Sequence, residues 1–174
     1  MFARTAETIT KKLQENNSIT NEQYEICRFG FQQGLTIILN IFTTIIIGIV
    51  IGELWFSILF MVLYAPLRSN AGGYHARTAV QCYIYSIFMM IAILLAMKYL
   101  IIPRFICIIT LIISCVIIWI FAPVEDTNKP LDNIELIVYR RRTRQITALE
   151  VVLFILSSMF NKYEFSQCIM LVFL

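Results

Sequence analysis

The chain has a single histidine, His75, and a cysteine, Cys82, seven residues after it. Both lie in a polar segment, RSNAGGYHARTAVQC, that separates long apolar stretches. An imidazole and a nearby thiol are the smallest set of groups for nucleophilic acyl chemistry, because the imidazole takes the thiol proton as a base and returns it to a leaving amine as an acid. This polar segment is therefore the first place to expect a chemical function.

The spacing of the two residues predicts a break in the helix between them. Positions seven apart on one continuous helix are separated by about 10.5 Å along its axis, too far for a hydrogen bond. Gly72 and Gly73 supply the backbone freedom for a loop that folds His75 over a helix starting near Thr78. Cys82 then falls in the first or second turn, where the positive helix end stabilises a thiolate.

Less specific interpretations of this segment remain open. A histidine and a cysteine seven apart also occur by chance. A zinc site is not predicted, because two ligands are too few and the loop has no Asp or Glu, and no cofactor is expected. Asn70 and Gln81 are candidates for orienting the imidazole or donating to an oxyanion, although each also fits a solvated loop residue. The other four cysteines are irregularly spaced and predict small apolar filler without disulfides.

The composition predicts an all-α, polytopic membrane protein. Apolar and aromatic residues make up 59% of the 174 residues and charged residues 14%, and the mean hydropathy is +0.78. A hydrocarbon core needs about 20 helical residues per crossing, so the chain has room for about six membrane helices and no second domain. The net charge of +3 is spread along the connections, which does not favour nucleic acid as a partner.

The hydropathy pattern divides the single membrane domain, residues 1–174, into segments. Residues 1–34 form an amphipathic entry with a helical apolar stripe that predicts a surface helix and no cleavable signal peptide. The second apolar run has only 14 residues, about 21 Å of helix, which would hold the following loop at the membrane boundary. The predicted membrane helices are 35–52, 54–67, 83–100, 105–121, 146–160 and 164–174, with a catalytic loop at 68–82 and a polar, basic segment at 122–145.

The basic residues predict the orientation in the membrane. Eleven Lys and Arg residues lie in the amino-terminal segment, the His75 loop and the 122–145 segment, and three lie on the opposite side. This bias places the amino terminus and the His75 loop in the cytoplasm of a multi-pass cell-membrane protein. The basic cluster favours contact with anionic lipid headgroups, with an acidic peptide as the alternative. Its members are Arg140, Arg141, Arg142 and Arg144.

The sequence RSNAGGYHARTAVQCY, followed by two spans and then FAPVEDTNKPL, resembles the AgrB family, the membrane endopeptidases of Gram-positive peptide quorum sensing. The resemblance covers most of the chain. It implies that Cys82 is the nucleophile and His75 its base, in a homodimer. It also implies an AgrD-like precursor with an amphipathic leader, a central segment that becomes a thiolactone signal, and an acidic tail that is removed. On this basis the tail would be attracted by Arg140, Arg141, Arg142, Arg144 and Lys129.

Two other functions stay open. A small membrane transporter component predicts charged groups buried in several spans or helix breaks at mid-membrane, and the sequence offers few of these. A noncatalytic, peptide-binding membrane scaffold predicts that Cys82 is dispensable. Cleavage of a precursor by the parent chain and by Cys82 variants separates all three functions.

Overall fold

A computed structural model describes residues 2–15, 21–72, 79–124 and 132–173. Within these ranges the chain forms helices joined by short connections, and the prediction of an all-α fold is confirmed. One isolated backbone bridge joins Gly72 to Val124. In chain order the helices are α1 (Phe2–Glu15), α2 (Asn21–Ile51), α3 (Leu54–Ala71), α4 (Ala79–Tyr99), α5 (Arg104–Phe121), α6 (Asn133–Met159) and α7 (Tyr163–Val172).

Four helical segments in the described part of the chain have the length and apolar composition to cross a membrane. Helix α6 is not among them; it carries four arginines and Glu150. Helix α7 has 10 residues, about 15 Å, which is too short to cross. The prediction of a membrane protein is thus confirmed, but the predicted number of about six membrane helices is not confirmed. The four candidate spans are Gln23–Ile51, Leu54–Ala71, Val80–Tyr99 and Arg104–Phe121.

The chain divides into two compact units, Met1–Thr43 and Thr44–Leu174. In the first unit, α1 buries Ala6 and Thr10, and the Thr10 hydroxyl donates to the Ala6 carbonyl at 2.8 Å. The Glu7 carboxylate lies 3.1 Å from the Lys11 ammonium one turn later and raises the pKa of that lysine. A helix therefore forms where the apolar stripe predicts one, and its placement on a membrane surface stays a prediction.

Helix α7 lies at the centre of the second unit. Its residues from Ser166 to Val172 are buried, and the helix contacts α3, α4, α5 and α6. The Gln167 amide donates to the Leu100 carbonyl at 2.8 Å, and the Ser166 and Ser157 hydroxyls are 2.8 Å apart. Because buried polar groups need partners, these bonds let a polar stretch pack in an apolar core. A helix too short to span a membrane is thereby fixed by its neighbours.

Helix α3 is longer than the apolar run 54–67 that predicts it. It covers 18 residues and ends at Ala71. The Ser69 hydroxyl and the Asn70 amide both donate to the Pro66 carbonyl, at 3.0 and 2.8 Å. These polar side chains satisfy a carbonyl near the helix end, so the helix continues into the polar segment. The prediction of a short second span is wrong: α3 is about 27 Å long and is a candidate crossing.

Candidate active site at the start of helix α4

Cys82 lies in the first turn of α4, which begins at Ala79. All five cysteines lie in the described ranges, and Cys82 alone is exposed. Cys107 and Cys168 are buried among the core side chains, and the remaining two are half-buried. An exposed thiol is accessible to a peptide, whereas a buried thiol is not. Exposure therefore selects the cysteine that the sequence pattern favours.

Three of the predicted site residues, Gly73, His75 and Lys129, lie outside the described residues. The spacing between the imidazole and the thiol therefore stays a prediction, as does the tail contact of the lysine. Within the described ranges, no group of three or more His, Cys, Asp or Glu side chains could hold a metal ion.

Asn70 and Gln81, the two candidate orienting residues, lie in the described helices on either side of residues 73–78. The Asn70 amide donates to the Pro66 carbonyl at 2.8 Å and to the Ser69 hydroxyl at 3.2 Å. To orient an imidazole it would have to exchange one of these bonds within its own helix. The Gln81 side chain is exposed and precedes Cys82 directly.

Two polar side chains lie in the last turns of α3, and one of them, Tyr64, is near the Cys82 thiol. The Tyr64 hydroxyl is close enough to interact electrostatically with both the Cys82 thiol and the Arg68 guanidinium. Tyr64 and Arg68 are four residues apart and so share one helix face. The Tyr64 ring is stacked on Phe60, with centroids 5.1 Å apart. Sequence reasoning missed both residues, although their spacing on a helix that leads into the polar segment is a usable signal.

Gly72 is the point where two distant segments meet. The Arg68 guanidinium donates to the Gly72 carbonyl at 3.1 Å, and the Val124 amide donates to the Ala71 carbonyl at 2.9 Å. Gly72 has a φ of 75°, and a Cβ at this position would overlap the Val124 carbonyl oxygen. Only glycine fits this combination of positive φ and close backbone approach without strain. The glycine segment and the Ala-Pro segment that follows α5 are therefore held together by backbone contacts.

Replacing Gly72 with alanine is expected to destabilise the second unit. With φ 75° and ψ −147°, Gly72 has a conformation that is essentially restricted to glycine and costs another residue about 1–3 kcal/mol, and the overlap with Val124 adds to that cost. Thermal unfolding in detergent, followed by circular dichroism, should give a lower midpoint than the parent. Gly30→Ala is the matched control: no atom lies within 4 Å of a Cβ there, so it should be neutral or stabilising by about 0.5–1 kcal/mol. Equal midpoints for the two variants would contradict the prediction.

Three of the predicted tail-binding arginines line one open cavity of about 580 Å³. The Arg144 guanidinium lies 4.7 Å from the centroid of the Trp119 ring, a cation–π contact that fixes its position. Arg142 is exposed and is not part of this lining. The cavity combines guanidinium groups with an apolar floor, which suits an acidic segment that also carries apolar side chains. Its lining residues are Trp119, Ile137, Arg140, Arg141, Arg144, Gln145 and Ala148.

Comparison with known proteins identifies related chains over nearly the whole length. The family model described as Accessory gene regulator B matches residues 6–174. Putative AgrB-like protein 2 of Clostridium perfringens is 25% identical over 162 residues, which cover 89% of this chain and 75% of that protein. Accessory gene regulator protein B of Staphylococcus carnosus is 22% identical over 175 residues, 98% of this chain and 87% of that protein. No solved structure matches the chain significantly.

Proposed function

The chain belongs to the accessory gene regulator B family, and from this membership and the site at α4 we propose that it is a membrane cysteine endopeptidase of peptide quorum sensing. Its substrate is an AgrD-like precursor. The enzyme removes the acidic carboxyl-terminal tail and, through an acyl-enzyme thioester, permits a thiolactone ring to form.

The observation that carries this proposal is the position of Cys82. The thiol is exposed in the first turn of α4, and the segment directly before that turn contains the only histidine of the chain. Backbone N–H groups at the start of a helix generally lack carbonyl partners within the helix. Such a turn therefore offers both a nucleophile and hydrogen-bond donors for a developing oxyanion.

The proposed reaction has two acyl transfers. The Cys82 thiolate attacks the carbonyl that joins the signal segment to the acidic tail, and the carbon–nitrogen bond breaks as protonated His75 gives its proton to the leaving amine. The signal segment is then bound to Cys82 as a thioester. A cysteine inside the substrate loses its proton to His75 and attacks this thioester, which closes the thiolactone and frees Cys82. One thioester replaces another, so the second step is close to balanced in free energy.

In this proposal, Tyr64 and Arg68 of α3 support the site in different ways. The Tyr64 hydroxyl, near the thiol, can donate a hydrogen bond to the substrate carbonyl as it becomes tetrahedral. The Arg68 guanidinium donates to the carbonyl of Gly72, three residues before His75 in the sequence. We assign Arg68 a positioning role, because its hydrogen bond acts on the loop backbone.

Recognition of the substrate is divided between charge and membrane contact in this proposal. The cavity lined by Arg140, Arg141 and Arg144 binds the acidic tail, and opposite charge raises the rate of encounter. The amphipathic leader lies on the same cytoplasmic membrane surface, so binding at both points brings the scissile bond to Cys82 by proximity. The proposal includes a homodimer surrounded by lipid, in keeping with the family.

A trapped acyl-enzyme tests the proposal. A precursor whose internal cysteine is replaced by alanine cannot close the ring, so the signal segment should remain on the enzyme as a thioester. Mass spectrometry of the reconstituted protein should find the added mass on the fragment that contains Cys82, and hydroxylamine should remove it. Release of the tail without any adduct on this fragment argues for a different nucleophile. An intact precursor after incubation with the parent chain supports the transporter or scaffold alternatives.

A further inference from the structure

Helix α6 turns a polar stripe toward the interior of the second unit. Its members Thr143, Thr147 and Glu150 recur at helical spacing and are followed one turn later by the apolar Phe154; all four are buried, with Glu150 only 1% exposed. The neighbours of α6 in this unit include α3 and α7. A glutamate this deep in an apolar bundle is costly to maintain, so such residues usually have a function.

Two oxygen atoms of this stripe have no hydrogen-bond partner among the described residues. They are the Oε2 atom of Glu150 and the Oγ1 atom of Thr147. Thr143 differs, because its hydroxyl donates to the Tyr139 carbonyl at 2.9 Å. Thr147 and Glu150 are three residues apart and therefore neighbours on one helix face. The pair forms a small polar site inside the bundle that the proposed acyl chemistry does not use.

No basic side chain in the described part of the chain offsets a charge on Glu150. Of the titratable groups on the elements packed around it, only the Cys115 thiol interacts with Glu150 electrostatically. An isolated carboxylate away from water costs far more free energy than a neutral carboxyl group. Glu150 has no such interaction with Tyr64 and Arg68 on α3, with Cys107 on α5, or with Tyr163, Glu164 and Cys168 on α7.

We propose that Glu150 is a proton-binding site inside the helix bundle, in which the protonated carboxyl group and the Thr147 hydroxyl keep the buried face of α6 packed against its neighbours. Loss of the proton places an unpaired charge on this buried face and moves α6 away from the bundle or draws water to it. Helix α3 carries Tyr64 and Arg68, and α6 carries the arginine cavity. Where the proposed function holds, the protonation of Glu150 therefore controls how the tail-binding cavity is placed relative to the thiol.

Dicyclohexylcarbodiimide, an apolar reagent that adds to protonated carboxyl groups, tests the proton site without any peptide substrate. In intact proteoliposomes at neutral pH, the fragment containing Glu150 should gain the mass of one reagent molecule, and the yield should fall as the pH is raised. Glu150→Gln should remove the adduct. Glu164, which is exposed, should not react in the same sample. Labelling of Glu164 but not of Glu150 would overturn the proposal.

Measurements of the stability and of the cleavage activity of Glu150→Gln distinguish a failure of the proton-site proposal from a failure of the proposed function. Glutamine has the shape of the neutral acid but binds no proton on folding, whereas Glu150 is ionised in the unfolded chain at neutral pH, so the variant should be at least as stable as the parent at neutral pH. It should also lack the stability that the parent loses as the pH rises from about 5 to about 8. A large loss at neutral pH would show that a carboxylate is required and would also overturn the proposal. In a cleavage assay, the variant should keep its rate at alkaline pH where the parent slows. If no precursor is cleaved by either protein, the proposed function fails, while the labelling result still decides the proton site.

Discussion

Replacing Cys82 with alanine is expected to abolish release of the acidic tail, with a loss of about four orders of magnitude or more in rate, as for other enzymes that lose a covalent nucleophile. Alanine removes the sulfur atom that forms the thioester in the proposed reaction and leaves the first turn of α4 intact. The measurement is the mass of the peptide products after incubation of the precursor with the protein in proteoliposomes. Binding of the precursor should be retained, because the arginine cavity is unchanged.

Two further variants show whether the loss belongs to the nucleophile. Cys82→Ser should also be inactive or nearly so, since a hydroxyl is a much weaker nucleophile than a thiolate beside the same base. Cys27→Ala is the matched control: this cysteine is half-buried in α2 and should be dispensable for cleavage. A Cys82→Ala protein that still releases the tail would exclude the cysteine mechanism.

The helix start next to Cys82 and the special backbone at Gly72 were predictable from local signals. A single histidine, a glycine pair and a cysteine imply a helix that restarts between the imidazole and the thiol, and α4 begins at Ala79 as that reasoning requires. Gly72 has the positive φ that a glycine there permits. Both features depend on a few neighbouring residues, which is why the sequence alone is informative about them.

The end of α3 was not predictable from hydropathy. Arg68, Ser69 and Asn70 are polar and indicate a loop, yet their side chains bond to carbonyls of the same chain segment and the helix continues. Hydropathy measures the cost of burying a side chain and contains no information on such bonds. The result matters for the site, because an extended α3 is what brings Arg68 to Gly72.

Contacts between segments that are distant in the sequence also could not be predicted from it. The hydrogen bond from the Val124 amide to the Ala71 carbonyl joins two residues that are separated in the sequence by α4 and α5. The contact between the Trp119 ring and Arg144 joins α5 to α6. No periodic pattern in the sequence predicts either contact. Glu150 is a similar case: a lone acidic residue in a helix is usually on the surface, and only the packing of α6 shows that this one is buried.

The second large effect is expected when the arginines that line the cavity are replaced. Replacing Arg140, Arg141 and Arg144 together with glutamine should raise the KM for the precursor and leave kcat nearly unchanged, because in the proposed function these groups contact a part of the substrate away from the scissile bond. A hydrogen bond to a charged group contributes about 1.5–3 kcal/mol when buried and less when exposed. For this open cavity we expect a total near 2–3 kcal/mol, or roughly 30-fold to 150-fold in KM.

The chain supplies its own control for this effect. Arg142 belongs to the same cluster but not to the cavity lining, so Arg142→Gln should change KM by less than about threefold, as expected for an exposed charge. The dependence of KM on salt should weaken in the triple variant and persist in Arg142→Gln, because screening acts on the charges that bind the tail.

Charge reversal decides between an acidic peptide and anionic lipid as the partner of the cavity. Arg140→Glu with Arg144→Glu should process the natural precursor poorly and regain activity with a precursor whose tail acids are replaced by lysines, because the interaction is then restored with opposite sign. Lipid binding makes a different prediction: activity of the variant would follow the fraction of anionic lipid in the vesicle and ignore the sign of the tail. No rescue by the basic tail, together with that lipid dependence, would refute the tail-binding role of this cavity.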